Sequence, residues 1–86
     1  MRVIFGSQAK KDFLKLDKTV QRHIQRFVLR LQELSDPRMS GKALVGNYAG
    51  LWRYRVGDYR LICEIHDEKI FVTVLRIAHR KEVYRD

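Results

Sequence analysis

The sequence is poor in cysteine and in long apolar runs. Cys63 is its single cysteine, which rules out an internal disulfide and indicates a reducing compartment. No apolar run approaches the roughly 20 residues that span a bilayer, and the opening apolar stretch is too short for a signal peptide. We therefore expect a cytoplasmic protein without a membrane segment.

Residues that bind metals are also scarce. One cysteine and three scattered histidines show no spacing typical of metal ligands. The sequence has no glycine-rich phosphate loop, no Ser-His-Asp order and no paired carboxylates. We predict that the protein uses neither a metal nor a cofactor.

Acidic residues are outnumbered by basic ones. The 86 residues include 18 Lys and Arg against 10 Asp and Glu, which gives a net charge of +8. Such a balance suggests nucleic acid, an acidic membrane surface or an acidic protein as the partner. The length predicts one small domain over residues 1–86.

The apolar pattern predicts an α+β fold. Residues 2–6 predict a strand, Ser7 the N-cap of a first helix, and either Asp17 or Thr19 the N-cap of a second. Apolar residues at helical spacing from Val20 to Leu34 mark the second helix. After a loop over residues 38–50, strands are predicted at 51–56, 59–66 and 69–77. The order β-α-α-β-β-β places a helical hairpin on one face of a mainly antiparallel four-stranded sheet.

Arginine is unusually frequent in and beside these predicted strands. Alternation places Arg53 and Arg55 on one face, and a turn at residues 57–58 brings Arg60 close to them. Converging cations repel each other unless an anion intervenes, so the pattern favours a phosphate site. In the alternative, the arginines pair with nearby acids or are solvated. The five arginines are Arg53, Arg55, Arg60, Arg76 and Arg80.

Two aromatic residues, Trp52 and Tyr54, alternate with Arg53 and Arg55 along the same predicted strand. They therefore face the opposite side of the sheet, where the helices lie. We interpret them as core residues and not as platforms for base stacking.

The end of the chain carries groups that suit RNA cleavage. RNA is cut without metal when a 2′-hydroxyl loses its proton and attacks the adjacent phosphorus, and the leaving 5′-oxygen gains a proton. Arginines stabilise the developing charge, and a histidine or tyrosine transfers protons. Arg80, Tyr84 and His79 follow the last strand closely enough to contribute. Alternatively, Tyr84 packs the chain end and His79 is a surface residue.

The predicted helices carry a second basic region, with few acids among the bases. It forms either a solvated outer face or a docking surface for a larger nucleic acid or an acidic partner. We favour docking, through Lys10, Lys11, Lys15, Lys18, Arg22 and Arg26.

Two runs resemble the RelE branch of the RelE/ParE toxin superfamily. They are residues 50–62 (GLWRYRVGDYRLI) and residues 74–84 (VLRIAHRKEVY). The resemblance covers essentially the whole chain. It implies a toxin of a type II toxin–antitoxin pair that enters the ribosomal A site and cleaves mRNA there through the 2′-hydroxyl, without metal. It also implies inhibition by an acidic, RelB-like antitoxin in a hetero-oligomer, and docking on the ribosome through the basic residues of the predicted helices.

The resemblance implies roles for individual residues. Arg60 and Arg80 would contact the scissile phosphate, and Tyr84 would orient a base or help to move the proton. Arg53 and Arg55 stand where the best-known members carry lysine, so they give electrostatic help and leave His79, Tyr84 or Glu82 as the base. The residues expected at the RNA phosphates are Arg53, Arg55, Lys42 and Lys81.

Two alternatives belong to other functional classes. ParE-type relatives share the fold but inhibit DNA gyrase by binding protein, without cutting RNA. A simple RNA-binding module would bind in a salt-dependent way and release no product with a cyclic phosphate.

Overall fold

Two helices and five strands form the main elements of the residues that the computed structural model describes, 1–69 and 71–82. They are β1 (Arg2–Phe5), α1 (Ser7–Leu14), α2 (Lys18–Glu33), β2 (Lys42–Ala43), β3 (Trp52–Val56), β4 (Tyr59–His66) and β5 (Phe71–His79). Short 3₁₀ turns at Pro37–Met39 and Gly46–Tyr48 flank β2. None of the helices in these residues is both long enough and apolar enough to cross a membrane.

The strands form one sheet in the order β1-β5-β4-β3-β2. Only β1 and β5 pair in parallel, and the other neighbours are antiparallel. The predicted α+β fold and the order of its main elements are confirmed. The predicted strand count is wrong by one, because β2 has two residues and is too short to show an alternating pattern.

Both helices pack on one face of the sheet. On α2, Ile24 and Leu31 are buried and join Tyr54 and Leu61 of the strands in one core cluster. Trp52 packs against the edge of this cluster, so the prediction that Trp52 and Tyr54 are core residues is confirmed. The other side of the sheet, which we call the open face, is not covered by the helices.

The helix caps differ in one respect from the prediction. Asp17 is the N-cap of α2, and its carboxylate accepts a hydrogen bond of 3.0 Å from the amide of Val20. The predicted Ser7 cap is wrong, since Gly6 is the N-cap of α1 and makes no side-chain cap bond. Gly6 already has extended backbone angles there, so the helix begins at Ser7 itself.

The segment between α2 and β3 is held by two aromatic side chains of β3. The Tyr54 hydroxyl donates to the carbonyl of Pro37 at 2.6 Å, and the Trp52 indole donates to the carbonyl of Ser40 at 2.8 Å. Burial raises the pKa of Tyr54, so its hydroxyl remains a donor at neutral pH. These bonds seat β2 beside β3.

Beyond the end of β1, a buried carboxylate accepts a backbone hydrogen bond from the edge of β5. β1 ends opposite Val74, and Asp12 of α1 then accepts from the Ile77 amide at 2.9 Å and from Arg76 Nε at 3.0 Å. Arg76, for which the sequence offered only a structural contact, therefore lies in an ion pair with Asp12.

Candidate functional site

Basic residues lie in two rows across the open face. In the first row, Lys42 is opposite Arg53, Arg53 opposite Ile62, and Ile62 opposite Arg76. Directly opposite residues of neighbouring strands share a face, so the predicted common face for Arg53 and Arg55 is confirmed. The second row, one pair further along the sheet, contains Arg55, Arg60 and Ala78.

Three arginines converge at the end of the sheet where β3 turns into β4. Arg55 and Arg60 are directly opposite each other, as the hairpin pattern predicted. Arg80 follows β5, and its amide donates to the carbonyl of Asp58 in the β3–β4 turn at 2.7 Å. We refer to Arg55, Arg60 and Arg80 as the arginine cluster.

The guanidinium of Arg60 is fixed by backbone carbonyls. Its Nη1 donates to the carbonyl oxygens of Gly57 and Tyr59, both at 3.0 Å. Partial burial together with the positive charges of Arg55 and Arg80 lowers the pKa of Arg60 below its ordinary value, and Asp58 opposes this shift. Arginine remains protonated throughout the physiological range, so the cluster is an assembly of like charges that a bound anion would stabilise.

Asp58 contacts the third arginine, which is the kind of pairing with a nearby acid that the sequence left open as an alternative. Its carboxylate lies 3.7 Å from Arg80 Nε, and both side chains are more than half exposed. The turn residues Gly57 and Asp58 therefore contribute a carbonyl to Arg60 and both a carbonyl and a carboxylate to Arg80. In the sequence, the short turn between two strands that contain arginine was the feature that could have indicated this contact.

The other residues predicted at RNA phosphates occupy different surroundings. Arg53 is only 3% exposed, whereas Lys42 opposite it is exposed. Lys81 is exposed in the turn after β5, next to Arg80. Arg53 is therefore buried on the open face, whereas Lys42, Lys81 and the arginine cluster are more accessible to a large polyanion.

His79 faces away from the arginine cluster. It is opposite Tyr59, and their rings lie edge to face with centroids 5.3 Å apart, on the side of the sheet that carries the helices. The amide of Lys81 donates to His79 Nδ1 at 3.2 Å, so the neutral ring carries its proton on Nε2. In this arrangement neither nitrogen is ready to accept a proton from a substrate at Arg60.

The remaining candidate bases lie at the end of the chain. Glu82 lines a cleft of the open face together with Ala78, the residue opposite Arg60. Its Oε1 accepts from the amide of His79 at 3.1 Å. Tyr84 lies outside the residues that the structure describes.

The predicted docking residues are all exposed on the helices, and one reaches the site. Arg26 lines a cleft of about 320 Å³ between α2 and the β3–β4 turn, together with Arg30, His23 and Arg55. This cleft joins the basic helix surface to the arginine cluster. The exposed docking residues are Lys10, Lys11, Lys15, Lys18, Arg22 and Arg26.

Within residues 1–69 and 71–82, no group of three or more His, Cys, Asp or Glu side chains is arranged to hold a metal ion. Burial raises the pKa of the Cys63 thiol, which keeps it protonated in the core.

Known proteins resemble the chain over nearly its whole length. The family model of the ParE toxin of type II toxin–antitoxin systems matches residues 3–84. Toxin RelG of Mycobacterium tuberculosis is 36% identical over 84 residues, which are 96% of this chain and 94% of that protein.

Solved structures agree with the sequence comparison. The toxin–antitoxin complex RelBE2 of Mycobacterium tuberculosis contains a chain 34% identical, with a TM-score of 0.83 over 92% of this chain and 96% of that one. The RelE–RelB complex of Pyrococcus horikoshii contains one 26% identical, with a TM-score of 0.72 over 95% and 97%. The chain therefore belongs to the RelE/ParE superfamily and is a toxin of a type II toxin–antitoxin system.

Proposed function

We propose that the protein is a ribosome-dependent endoribonuclease that cleaves mRNA in the A site and so inhibits translation. The observation that carries the proposal is the arginine cluster, in which the Arg60 guanidinium is held by turn carbonyls between Arg55 and Arg80. Fixed cations of this kind stabilise charge that develops at a phosphate during reaction.

The reaction forms no covalent bond to the protein, which takes up the proton of the 2′-hydroxyl and supplies one to the leaving oxygen. The 2′-hydroxyl of one nucleotide loses its proton and its oxygen bonds to the adjacent phosphorus. The bond from phosphorus to the 5′-oxygen of the next nucleotide breaks, and that oxygen takes up a proton. The products are a 2′,3′-cyclic phosphate and a free 5′-hydroxyl.

The residues divide between charge stabilisation and proton transfer. We assign Arg60 and Arg80 to the pentavalent phosphate, with Arg55, Lys42 and Lys81 at the neighbouring RNA backbone. His79 faces the helix side of the sheet, which leaves Glu82 and Tyr84 as candidates for the proton transfers. Action on the ribosome places the protein in the cytoplasm.

Cleavage of a defined message on purified ribosomes tests the proposal. We expect wild-type protein to cut in the A-site codon, and Arg60→Ala and Arg80→Ala to cut at least about 100-fold more slowly, because each loses a fixed donor to the transition state. Arg38→Ala is the matched control, since Arg38 pairs with Asp67 outside the cluster and its loss should leave the rate within about twofold. An uncut message with wild-type protein, or equal rates for wild type and Arg80→Ala, would contradict the proposal.

A second function is favoured by the family model itself, which is that of ParE toxins. A ParE-like protein would inhibit DNA gyrase by binding it. In a supercoiling assay, inhibition at stoichiometric protein, together with an intact message in the ribosome assay, would support this second function.

We also propose that an acidic, RelB-like antitoxin inhibits this toxin in a hetero-oligomer. The basic surface supports this partner, and the similar chains from Mycobacterium tuberculosis and Pyrococcus horikoshii occur in toxin–antitoxin complexes. Co-expression with a small acidic protein encoded beside the toxin gene should give a stable complex that does not cut message. Recovery of free, active toxin from such cells would argue against that partner.

A further inference from the structure

A second concavity lies on the open face beside the arginine cluster. It is a cleft of about 300 Å³, and we call it the open-face cleft. That volume is at the lower end of the range for small-ligand pockets. It is lined by Tyr48, Leu51, Ile62, Leu75, Arg76, Ala78 and Glu82.

The sheet register places this cleft next to the arginine cluster. Ala78, one of its lining residues, is directly opposite Arg60. Ile62, another lining residue, is two positions along β4 from Arg60 and so shares its face. A ligand whose anionic group lies at Arg60 can therefore place the neighbouring part of its structure over Ala78 and Ile62.

A β-bulge widens the apolar floor of the cleft. Ile62 pairs with Arg76 and the next residue, Cys63, pairs with Val74, so Leu75 is the extra residue of β5. Leu75 adds to the floor formed by Ile62 and Ala78, while Tyr48 and Leu51 come from the segment before β3. An apolar floor with one aromatic wall suits a flat, unsaturated ring.

Charged groups at the cleft are held in place by neighbours. Arg76 donates through Nε to Asp12 at 3.0 Å, and Glu82 accepts through Oε1 from the His79 amide at 3.1 Å. One guanidinium donor and one carboxylate acceptor thus border an apolar cleft. Nucleobases combine a flat ring with donors and acceptors along its edge.

We propose that the open-face cleft binds the nucleobase of a nucleotide whose phosphate lies at the arginine cluster. The proposal rests on the proposed RNA-cleaving function and adds a determinant of which nucleotide is cut. The cleft also contains Glu82, a candidate for proton transfer, so the bound base belongs to a nucleotide next to the bond that is cut. Base preference then arises at Arg76, Glu82 and Tyr48, while the arginine cluster accepts any phosphate.

Nuclear magnetic resonance titration of the whole protein tests the cleft without relying on cleavage. The probes are the four nucleoside 5′-monophosphates and inorganic phosphate alone. We expect phosphate to shift the guanidinium signals of Arg55, Arg60 and Arg80 only. Nucleotides should also shift the methyl signals of Ile62 and Leu75, by amounts that differ among the four bases.

A matched pair of variants distinguishes binding of the nucleobase from binding of the phosphate. Tyr48 is exposed, so Tyr48→Ala should fold, bind nucleotides about tenfold more weakly and bind phosphate as before. Leu29→Ala, at an exposed position on α2, should leave both affinities unchanged. If phosphate and all nucleotides give the same shifts, or if Tyr48→Ala weakens nucleotide and phosphate binding equally, the cleft does not bind a base.

Ribosome assays distinguish this proposal from the function on which it rests. Tyr48→Ala should still cut message but with an altered distribution of the nucleotides at the cut. Cleavage by wild type with an identical distribution for Tyr48→Ala would overturn the base site and leave the nuclease intact. Base-dependent shifts in a wild type that cuts no message would support the base site and overturn the nuclease.

Discussion

The Asp12 carboxylate accepts a backbone hydrogen bond of β5 that a neighbouring strand would otherwise accept. Asp12 is 9% exposed and accepts hydrogen bonds from the Ile77 amide, Arg76 and Gln8. Burial alone would raise its pKa, but these bonds outweigh burial and the pKa is lowered. The charged form is therefore the one that the folded protein favours.

Removing this carboxylate should destabilise the fold. We expect Asp12→Ala to lower the free energy of unfolding by roughly 2–3 kcal/mol at pH 7, because the buried Ile77 amide loses a charged acceptor. Asp12→Asn keeps an acceptor and should cost less. Urea denaturation measures both, with Asp67→Asn as control, since Asp67 lies in an exposed pair and should matter much less.

The pH dependence of these variants follows from the lowered pKa. Asp12 stabilises the fold fully above the unfolded value, about 3.9, and this contribution is lost as the pH falls through the lower folded pKa. The difference between wild type and Asp12→Asn should therefore shrink between pH 4 and about pH 2. A constant difference over that range would show that the charge of Asp12 does not stabilise the fold.

The distance between partners along the chain decides which of these contacts the sequence could predict. Arg55 and Arg60 are joined by a two-residue turn, so alternation and turn length sufficed to place them opposite each other. Asp12 and Ile77 are 65 residues apart, and nothing in the local pattern around Asp12 indicates the contact. The sequence could not show the orientation of His79 either. That orientation depends on the pairing of β5 with β4 beyond Ile77, where the predicted strand ended.

Among the elements, β2 is the shortest and its position depends on one glycine. Gly41 has a φ of 82°, and a Cβ there would lie 2.4 Å from the carbonyl oxygen of Arg53. The same Cβ would lie 2.5 Å from the Trp52 indole nitrogen. Close approach of this backbone to β3 is therefore possible only without a side chain.

Alanine at this glycine should displace β2. We expect Gly41→Ala to lower the free energy of unfolding by about 2–4 kcal/mol, since strain at positive φ adds to a clash with backbone. Gly46→Ala is the matched control, with a φ of 65° but no atom within 4 Å of the new Cβ, and should cost about 1 kcal/mol. Thermal denaturation of the two variants tests this, and equal losses would mean that the close approach at Gly41 is unimportant.

For the whole molecule, the net charge is +8, and many of the basic residues lie on two connected surfaces. The helices carry exposed lysines and arginines, and the cleft between α2 and the β3–β4 turn links them to the arginine cluster. Long-range attraction to a polyanion acts on the rate of encounter, whereas in the proposed reaction the cluster acts at the bound phosphate. The helix surface should therefore affect the association rate constant, and the arginine cluster should affect the rate constant of cleavage.

We expect the triple variant Lys11→Ala, Lys15→Ala and Lys18→Ala to associate with ribosomes about tenfold more slowly at low salt. The difference should vanish at high salt, because screening removes the attraction in both proteins. Stopped-flow measurement over a salt series tests this, and Arg60→Ala, which alters the proposed phosphate contact, should keep the wild-type rate. A loss that persists unchanged at high salt would show that these lysines make specific contacts instead.

The parallel pairing of β1 with β5 joins the first and the last strand of the described residues. Residues Arg2–Phe5 have no partner strand until residues 71–74 have been synthesised, so a nascent chain cannot complete its sheet before β5 is available. The same β5 leads into Arg80, and the arginine cluster is assembled only once that last strand pairs with β4. A polypeptide interrupted anywhere before β5 therefore lacks the complete sheet and the arginine cluster together.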